Sequence, residues 1–155
     1  MKIAVIVYSY TGNTFSVAEK LVEKLKARRK DAKLFRLIMS GDPHMDSKNF
    51  SIKNIPDLNE YDAYVFASPV QAFTLSAYMK MYMKNIQPLN GKNVAVFVTQ
   101  NLKPVFGGNR AIKKLSEFVH MKDGAVRGSK IIKWTDSERD KLIDESTAYL
   151  AGLFD

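Results

Sequence analysis

The chain contains no cysteine and only two histidines, and these shortages exclude several kinds of chemistry. Without cysteine there is no disulfide, thiolate nucleophile, iron–sulfur cluster or cysteine zinc site. His44 and His120 are far apart in the sequence, so we expect two surface residues rather than a metal site. Any redox chemistry must therefore come from a bound organic cofactor.

Long apolar runs are missing as well. No run approaches the roughly 18 residues of a membrane span, and the start MKIAVIV lacks the basic region and cleavage site of a signal peptide. We therefore expect a cytoplasmic protein with no membrane partner. The 155 residues suit a single domain, residues 1–155, and the 46% of hydrophobic residues are enough for a proper core.

Acidic residues are outnumbered by basic ones, 16 to 24, which gives a net charge of +8. Such a charge favours acidic partners. The densest basic segment, Lys24 to Lys33, is interpreted as a solvated helix end whose cations complement the helix dipole. Nucleic-acid binding is not expected, because no recognition motif or interleaved aromatic residues accompany the charge.

The segment SYTGNT, residues 9–14, is the most informative motif. It follows the apolar run Lys2 to Val7, typical of a buried strand, and precedes an amphipathic helical pattern. A strand-to-helix turn presents unpaired N–H groups and the positive end of the helix dipole, and both favour a phosphate. Ser9, Thr11 and Thr14 add hydroxyl donors. Gly12 and Asn13 tolerate a positive φ, so the backbone can curl around a ligand.

The kind of phosphate is narrowed by what the motif does not contain. It has no lysine or arginine, and it matches neither GxxxxGK[ST] nor GxGxxG. A terminal phosphate is therefore the best fit. The alternative is that Thr11 or Thr14 merely caps a helix.

The rest of the chain alternates between strand and helix patterns. Further strands are predicted at Ala32 to Ile38, Tyr61 to Ala67, Asn93 to Val98 and Ala125 to Lys133. This alternation predicts a doubly wound α/β fold, a five-stranded parallel sheet in the order 2-1-3-4-5 with helices on both faces. Its ligand crevice should lie at the carboxyl ends of strands 1 and 3.

Two other segments carry local predictions. Ser40 to Glu60 contains Gly and two Pro, so we predict mostly loop with one short turn at most. Thr135 and Glu138 have the spacing of a capping box, which predicts that the last helix starts there.

Three loops should meet at the crevice: SYTGNT, Ser68 to Thr74 after strand 3, and Thr99 to Asn109 after strand 4. Phe73 and Phe106 would line an aromatic slot beside the phosphate cradle. The alternative is that both rings plug the edge of the sheet as core residues.

SYTGNT, the strand YDAYVFASPV and the loop ending in FGGN resemble the three flavin-contacting loops of the flavodoxin family, and the likeness covers nearly the whole chain. The resemblance implies a short-chain flavodoxin-like protein with FMN as its cofactor. By position it implies that the phosphate is held by Ser9, Tyr10, Thr11, Gly12, Asn13 and Thr14. The resemblance also implies two walls for the flavin slot. One wall consists of Ser68, Pro69, Val70, Gln71, Ala72 and Phe73. The other consists of Thr99, Gln100, Asn101, Phe106, Gly107 and Gly108.

Two features depart from the family pattern. Flavodoxins commonly hold the flavin between a Trp and a Tyr, whereas the only Trp here, Trp134, falls just before the last helix, away from the matching loops. Flavodoxins are also usually acidic, whereas this chain is basic. Lys103 and Arg110 flank the third loop, so they should stabilise an anionic reduced flavin.

Three functions remain open at this point. The favoured one is an electron carrier between redox partner proteins with acidic docking surfaces, because no general acid, base or nucleophile stands out in the loops. The second is an FMN-dependent NAD(P)H oxidoreductase acting on quinones or similar acceptors. The third is a binding module that keeps the fold without the flavin.

Overall fold

The computed structural model describes residues 1–43 and 50–155. Its strands are β1 (Lys2–Val7), β2 (Asp31–Arg36), β3 (Ile38–Ser40), β4 (Ser51–Lys53), β5 (Ala63–Gln71), β6 (Thr74–Leu75), β7 (Asn93–Gln100) and β8 (Ala125–Lys133). The helices are α1 (Asn13–Ala27), α2 (Ala77–Asn85), α3 (Gly108–Met121) and α4 (Arg139–Gly152). Single 3-10 turns occur at Leu58–Glu60 and Pro104–Phe106.

The main sheet is parallel in the order β2-β1-β5-β7-β8, which confirms the predicted topology. Val7, the last residue of β1, pairs with Arg36 of β2 and Ala67 of β5. Further on, Pro69 of β5 pairs with Thr99 of β7. The parallel register therefore brings the segments that follow β1, β5 and β7 to the same edge of the sheet.

Apolar layers cover both faces of the sheet. Alternate residues of β1 enter opposite layers: Ala4 and Ile6 pack with α2 and α3, while Ile3 and Val5 pack with α1 and α4. All of these side chains are fully buried. Burial on both faces explains why β1 is a continuous apolar run rather than an alternating pattern.

The segment from Ser40 to Glu60 contains more structure than predicted. β3 and β4 form an antiparallel pair in which Met39 faces Ile52, and both side chains are partly buried against the core. The prediction of mostly loop with one short turn therefore missed β4, because three-residue strands carry too little alternation to be recognised. Residues 44–49, including His44, lie outside the described residues.

The predicted capping box does not form. The Thr135 hydroxyl donates to the carbonyl of Asn101 at 2.6 Å, and the Asp136 carboxylate accepts from the N–H of Glu138 at 2.8 Å. α4 therefore begins at Arg139, later than predicted. The Thr135 hydroxyl bonds to the third loop instead of to the backbone at the start of α4. The local sequence spacing could not reveal this distant acceptor.

Tyr82 of α2 is buried beneath β5, with its ring centroid 6.4 Å from that of Phe66. Its hydroxyl has no hydrogen-bond partner among the described residues. Burial raises the pKa of Tyr82 far above its usual value, and the neighbouring Tyr64 adds to the effect. The native state therefore keeps this phenol neutral.

Tyr82→Phe should make the protein more resistant to alkaline unfolding. A raised native pKa contributes stability that is present below the unfolded tyrosine pKa of about 10 and is lost as the pH rises above it. The substitution removes that loss, and at pH 7 it should leave stability unchanged or raise it by about 1 kcal/mol. Urea unfolding at pH 7 and pH 10.5 measures both effects. Exposed Tyr149→Phe is the control, and an equal alkaline response of both variants would contradict the account.

Candidate functional site

Residues 9–14 form a curled turn between β1 and α1. The Ser9 hydroxyl oxygen accepts hydrogen bonds from the N–H groups of Gly12 and Phe15, both at 3.2 Å. Gly12 has a left-handed φ of 97°, which other residues rarely adopt. The Ser9 side chain thus stabilises the turn through hydrogen bonds to its backbone, and the left-handed conformation of Gly12 allows the backbone to bend.

The turn leaves several backbone donors available. Within the described residues, no hydrogen-bond partner is found for the N–H groups of Tyr10, Thr11, Asn13 and Thr14. The first turn of α1 contains no acidic residue. Open N–H groups at the positive end of a helix, with no carboxylate to compete, suit an anion such as a phosphate. We call residues 9–14 the cradle.

Thr14 connects the cradle to the third loop. Its hydroxyl lies 2.7 Å from that of Thr99, and both side chains are buried. The Thr14 hydroxyl is therefore engaged inside the protein, whereas Thr11 is exposed on the turn. Contact of the Thr14 side chain with a phosphate remains a prediction.

The second predicted loop is mainly a strand and a tight hairpin. β5 continues past Ala67 to Gln71, then turns through Ala72 and Phe73 into β6. Both turn residues have left-handed φ values, 51° and 59°, as a two-residue hairpin requires. The prediction ended the strand too early because of Pro69. However, β1 pairs with β5 only as far as Ala67, so proline removes no ladder bond to β1.

The two aromatic rings at the site are exposed. Phe73 at the hairpin tip is 60% exposed, and Phe106 in the third loop is 52% exposed. The alternative that they plug the core is therefore wrong. They line a cleft of about 230 Å³ together with Val70, Ala72, Gln100, Asn101 and Leu102.

Gly107 and Gly108 allow the third loop to pack against the hairpin. A Cβ on Gly107 would lie 2.7 Å from the backbone carbonyl carbon of Phe73, and its φ is 119°. A Cβ on Gly108 would lie 1.9 Å from Oε1 of Gln100. The Gln100 side chain also donates from Nε2 to the carbonyl of Lys103 at 2.7 Å. The glycine pair is thus required by close approach on both sides.

The structure brings the three predicted segments to one edge of the sheet. One predicted side chain, that of Ser68, does not line the cleft. The Ser68 hydroxyl is fully buried and donates to the carbonyl of Pro69 at 2.9 Å. The Ser68 side chain therefore stabilises the backbone of β5 within the protein interior. Flavin contact by the other predicted residues of the three segments remains a prediction.

Sequence reasoning missed two residues beside the cradle. Tyr8 is buried with its ring 5.2 Å from that of Tyr78, and burial raises its pKa although a hydrogen bond with Gln71 acts in the opposite direction. This neutral phenol connects the end of β1 to the hairpin. Arg36 donates from Nη2 to the carbonyl of Ser9 at 3.4 Å. The strand order could have found it, because it places the end of β2 next to the end of β1.

Trp134 lies closer to the third loop than predicted. The backbone N–H of Trp134 donates to the carbonyl of Gln100 at 2.7 Å, so the Trp134 backbone borders that loop. The half-buried indole packs against the core layer of α1 and α4, with the Arg139 guanidinium 4.5 Å from its ring centroid. The expectation that Trp134 is remote was wrong for its backbone, because β8 ends directly beside β7.

The sheet order, the cradle and the aromatic cleft define the class of flavodoxin-like FMN proteins. A sequence model described as NADPH-dependent FMN reductase matches residues 1–129, and the chain belongs to that family. The prediction of a flavodoxin-like protein with FMN as cofactor is thereby confirmed. No curated protein sequence matches the chain significantly.

Solved structures with the same fold include a flavoprotein in complex with FMN from Lactobacillus acidophilus NCFM, with 20% identity, a TM-score of 0.66 and coverage of 94% of this chain and 98% of that one. A flavodoxin from Streptococcus pneumonia TIGR4 has 16% identity, a TM-score of 0.69 and coverage of 98% and 99%. The Trp repressor binding protein from Bacillus subtilis has 18% identity, a TM-score of 0.67 and coverage of 96% and 99%. At these identities the likeness concerns the fold.

The residues present fit FMN chemically. The cradle offers open N–H donors and lacks carboxylates, as a phosphate dianion requires. The cleft supplies aromatic and aliphatic surface for a flat apolar ring, with Gln100 and Asn101 at its edge. A cradle for phosphate and an apolar cleft for the ring thus occur at one edge of the sheet.

Gly107→Ala should destabilise the protein more than Gly91→Ala. Both glycines have positive φ, 119° and 73°, but a Cβ at Gly91 would meet nothing within 4 Å. We expect about 1 kcal/mol for Gly91→Ala from backbone strain alone and about 2–4 kcal/mol for Gly107→Ala, where a steric clash adds to the strain. Urea unfolding of both variants measures the difference, and equal losses would show that the hairpin contact is unimportant.

Proposed function

We propose that this protein is an FMN-binding electron carrier that passes electrons between redox partner proteins. One observation supports this function above the others: the apolar side chains around the cleft remain exposed. Tyr10 of the cradle and Val105 of the third loop, which do not line the cleft, are 73% and 69% exposed. An exposed apolar rim at the cofactor site suits transient docking of a second protein.

The chain's own residues would hold and orient the flavin. We propose that the cradle binds the phosphate, with the hairpin on one side of the ring and the third loop on the other. When bound, FMN supplies the electron-transfer chemistry. None of the described residues lining the cleft has an ionisable side chain. The absence of a general acid or base from this lining favours a carrier over an enzyme that must move protons to a substrate.

The charge of the chain indicates the chemistry of its partners. Lys103 and Arg110 are exposed on the third loop and at the start of α3, within an overall charge of +8. We propose that partners present acidic docking surfaces. Association rates with such partners should fall as ionic strength rises.

Titration of purified protein with FMN tests the cofactor site directly. We expect quenched flavin fluorescence and a saturable change in the visible spectrum, with Thr11→Ala weakening binding by about 1–2 kcal/mol through loss of a hydroxyl donor to a charged group. Ser16→Ala is the control, because its hydroxyl donates to the carbonyl of Asn13 within α1. Absence of quenching would support a module without flavin.

Lys103→Glu should make the flavin potential more negative. A cation near the third loop stabilises the anionic reduced flavin, and charge reversal removes that stabilisation, by an amount on the order of tens of millivolts. Lys26→Glu is the control, because it makes the same charge change at the opposite end of the sheet, in the last turn of α1. Reductive titration measures both variants, and equal shifts would show that only net charge matters.

A second candidate is an FMN-dependent NAD(P)H oxidoreductase. The family description supports it, and so does a cleft of about 280 Å³ on the other side of the hairpin. Gln71, Ala72, Tyr78 and Lys80 are among its lining residues. Burial lowers the pKa of Lys80, and the nearby Lys114 and Lys84 lower it further. We propose that these neighbouring lysines attract an anionic nucleotide to this side of the hairpin.

Anaerobic mixing with NADPH separates the two candidates. A carrier should keep its oxidised flavin spectrum when NADPH is added alone and should be reduced only through a reductase. An oxidoreductase should lose the oxidised spectrum within seconds and oxidise NADPH continuously once a quinone is present. In that case Lys80→Gln should raise the KM for NADPH, with Lys53→Gln, an exposed lysine of β4, as the control.

A further inference from the structure

Arg36 places a cation against the cradle from a neighbouring strand. It is the last residue of β2 and pairs in register with Val7, directly before the segment that leads into the turn. Its Nη2 donates a long hydrogen bond of 3.4 Å to the carbonyl of Ser9. The sequence of the cradle contains no basic residue, so the fold supplies the charge that the motif lacks.

Neighbouring groups hold the guanidinium in this position. Its central carbon lies 4.7 Å from the ring centroid of Phe15, in the first turn of α1, as in a cation–π contact. The Arg36 carbonyl accepts from Nδ2 of Asn54 at 2.9 Å, and the next N–H, of Leu37, donates to the carbonyl of Val7 at 2.8 Å. Both the backbone and the side chain of Arg36 are therefore fixed beside the cradle.

Among the residues that the structure describes, no carboxylate forms an ion pair with Arg36. The ion pairs found among residues 1–43 and 50–155 join Lys24 to Asp144, Arg28 to Asp155 and Lys141 to Glu145. Arg36 takes part in none of them, and arginine keeps its charge at every ordinary pH. A permanent cation beside open N–H donors makes the cradle more positive than the N–H groups alone would.

We propose that Arg36 determines the charge specificity of the cradle, so that it favours the dianionic form of the flavin phosphate. The dianion interacts with a nearby cation about twice as strongly as the monoanion, and riboflavin, which has no phosphate, gains nothing from it. The second phosphate pKa of about 6 lies between these charge states. Arg36 therefore makes flavin affinity rise with pH between about pH 5 and 7.5.

This inference rests on the proposed placement of the phosphate in the cradle, and dissociation constants for FMN and riboflavin test it. Arg36→Gln should weaken FMN binding about tenfold at pH 7.5 and only about threefold at pH 5, because the monoanion gains half as much from the cation. Arg36→Lys keeps the charge and should restore most of the affinity. Riboflavin affinity should change less than twofold in both variants.

Lys33→Gln is the matched control, because it removes one positive charge from the same strand, where Lys33 lies over the ring of Phe35. It should leave FMN affinity within about twofold of the wild type. Thermal unfolding of each variant without flavin shows whether the substitution disturbs the fold. Similar unfolding temperatures together with the expected affinities would support a direct electrostatic effect.

Three results would overturn the proposal. Equal losses in Arg36→Gln and Arg36→Lys would show that the side chain acts through shape rather than charge. A loss in Arg36→Gln that is the same at pH 5 and pH 7.5 would show that the phosphate charge state is not sensed. A wild type that binds riboflavin as tightly as FMN would refute the phosphate cradle itself, and Arg36 with it.

Discussion

The parallel pairing of β1 with β2 and β5 is the constraint on which the site depends. It sets Val7 level with Arg36 and Ala67, so the chain leaves β1 beside the ends of both neighbours. The cradle therefore forms between a cation from β2 and the hairpin that extends β5. Because every side chain of β1 from Ile3 to Val7 is fully buried, a register shift would disrupt the packing of both apolar layers, and the alignment is strongly specified.

The cleft depends in turn on a close contact between two turns. Gly107 brings the third loop against the backbone of Phe73, and the Thr14–Thr99 hydroxyl pair fixes the cradle to the end of β7. These contacts position the exposed rings of Phe73 and Phe106 without burying them. Close backbone contacts together with exposed aromatic surface suit a site that holds a cofactor and meets partners through its rim.

Long, regular features were predictable from the sequence. The buried run of β1, the SYTGNT turn and the strand order 2-1-3-4-5 follow from hydrophobic periodicity and turn chemistry, which are local properties. The errors arose where distant groups decide the outcome. Thr135 donates to Asn101 instead of capping α4, and Pro69 continues a strand because the neighbouring strand ends first.

Arg36 illustrates the same limit for the site itself. In the sequence alone, Arg36 is one basic residue among many, inside a predicted strand, and nothing local connects it to SYTGNT. The connection appears only when β2 is placed beside β1. Once the strand order is known, the residues at the carboxyl ends of both neighbours of a phosphate-binding strand are candidates for its electrostatics.

We propose that the backbone N–H groups of residues 9–14 hold the phosphate of FMN. Amide chemical shifts and hydrogen exchange, followed by NMR during titration with FMN and separately with riboflavin, test it most directly. We expect large shifts and slowed exchange at Tyr10, Thr11, Asn13 and Thr14 with FMN only, while amides near Phe106 respond to both flavins. Unchanged amides in the cradle, alongside clear changes near Phe106, would contradict it.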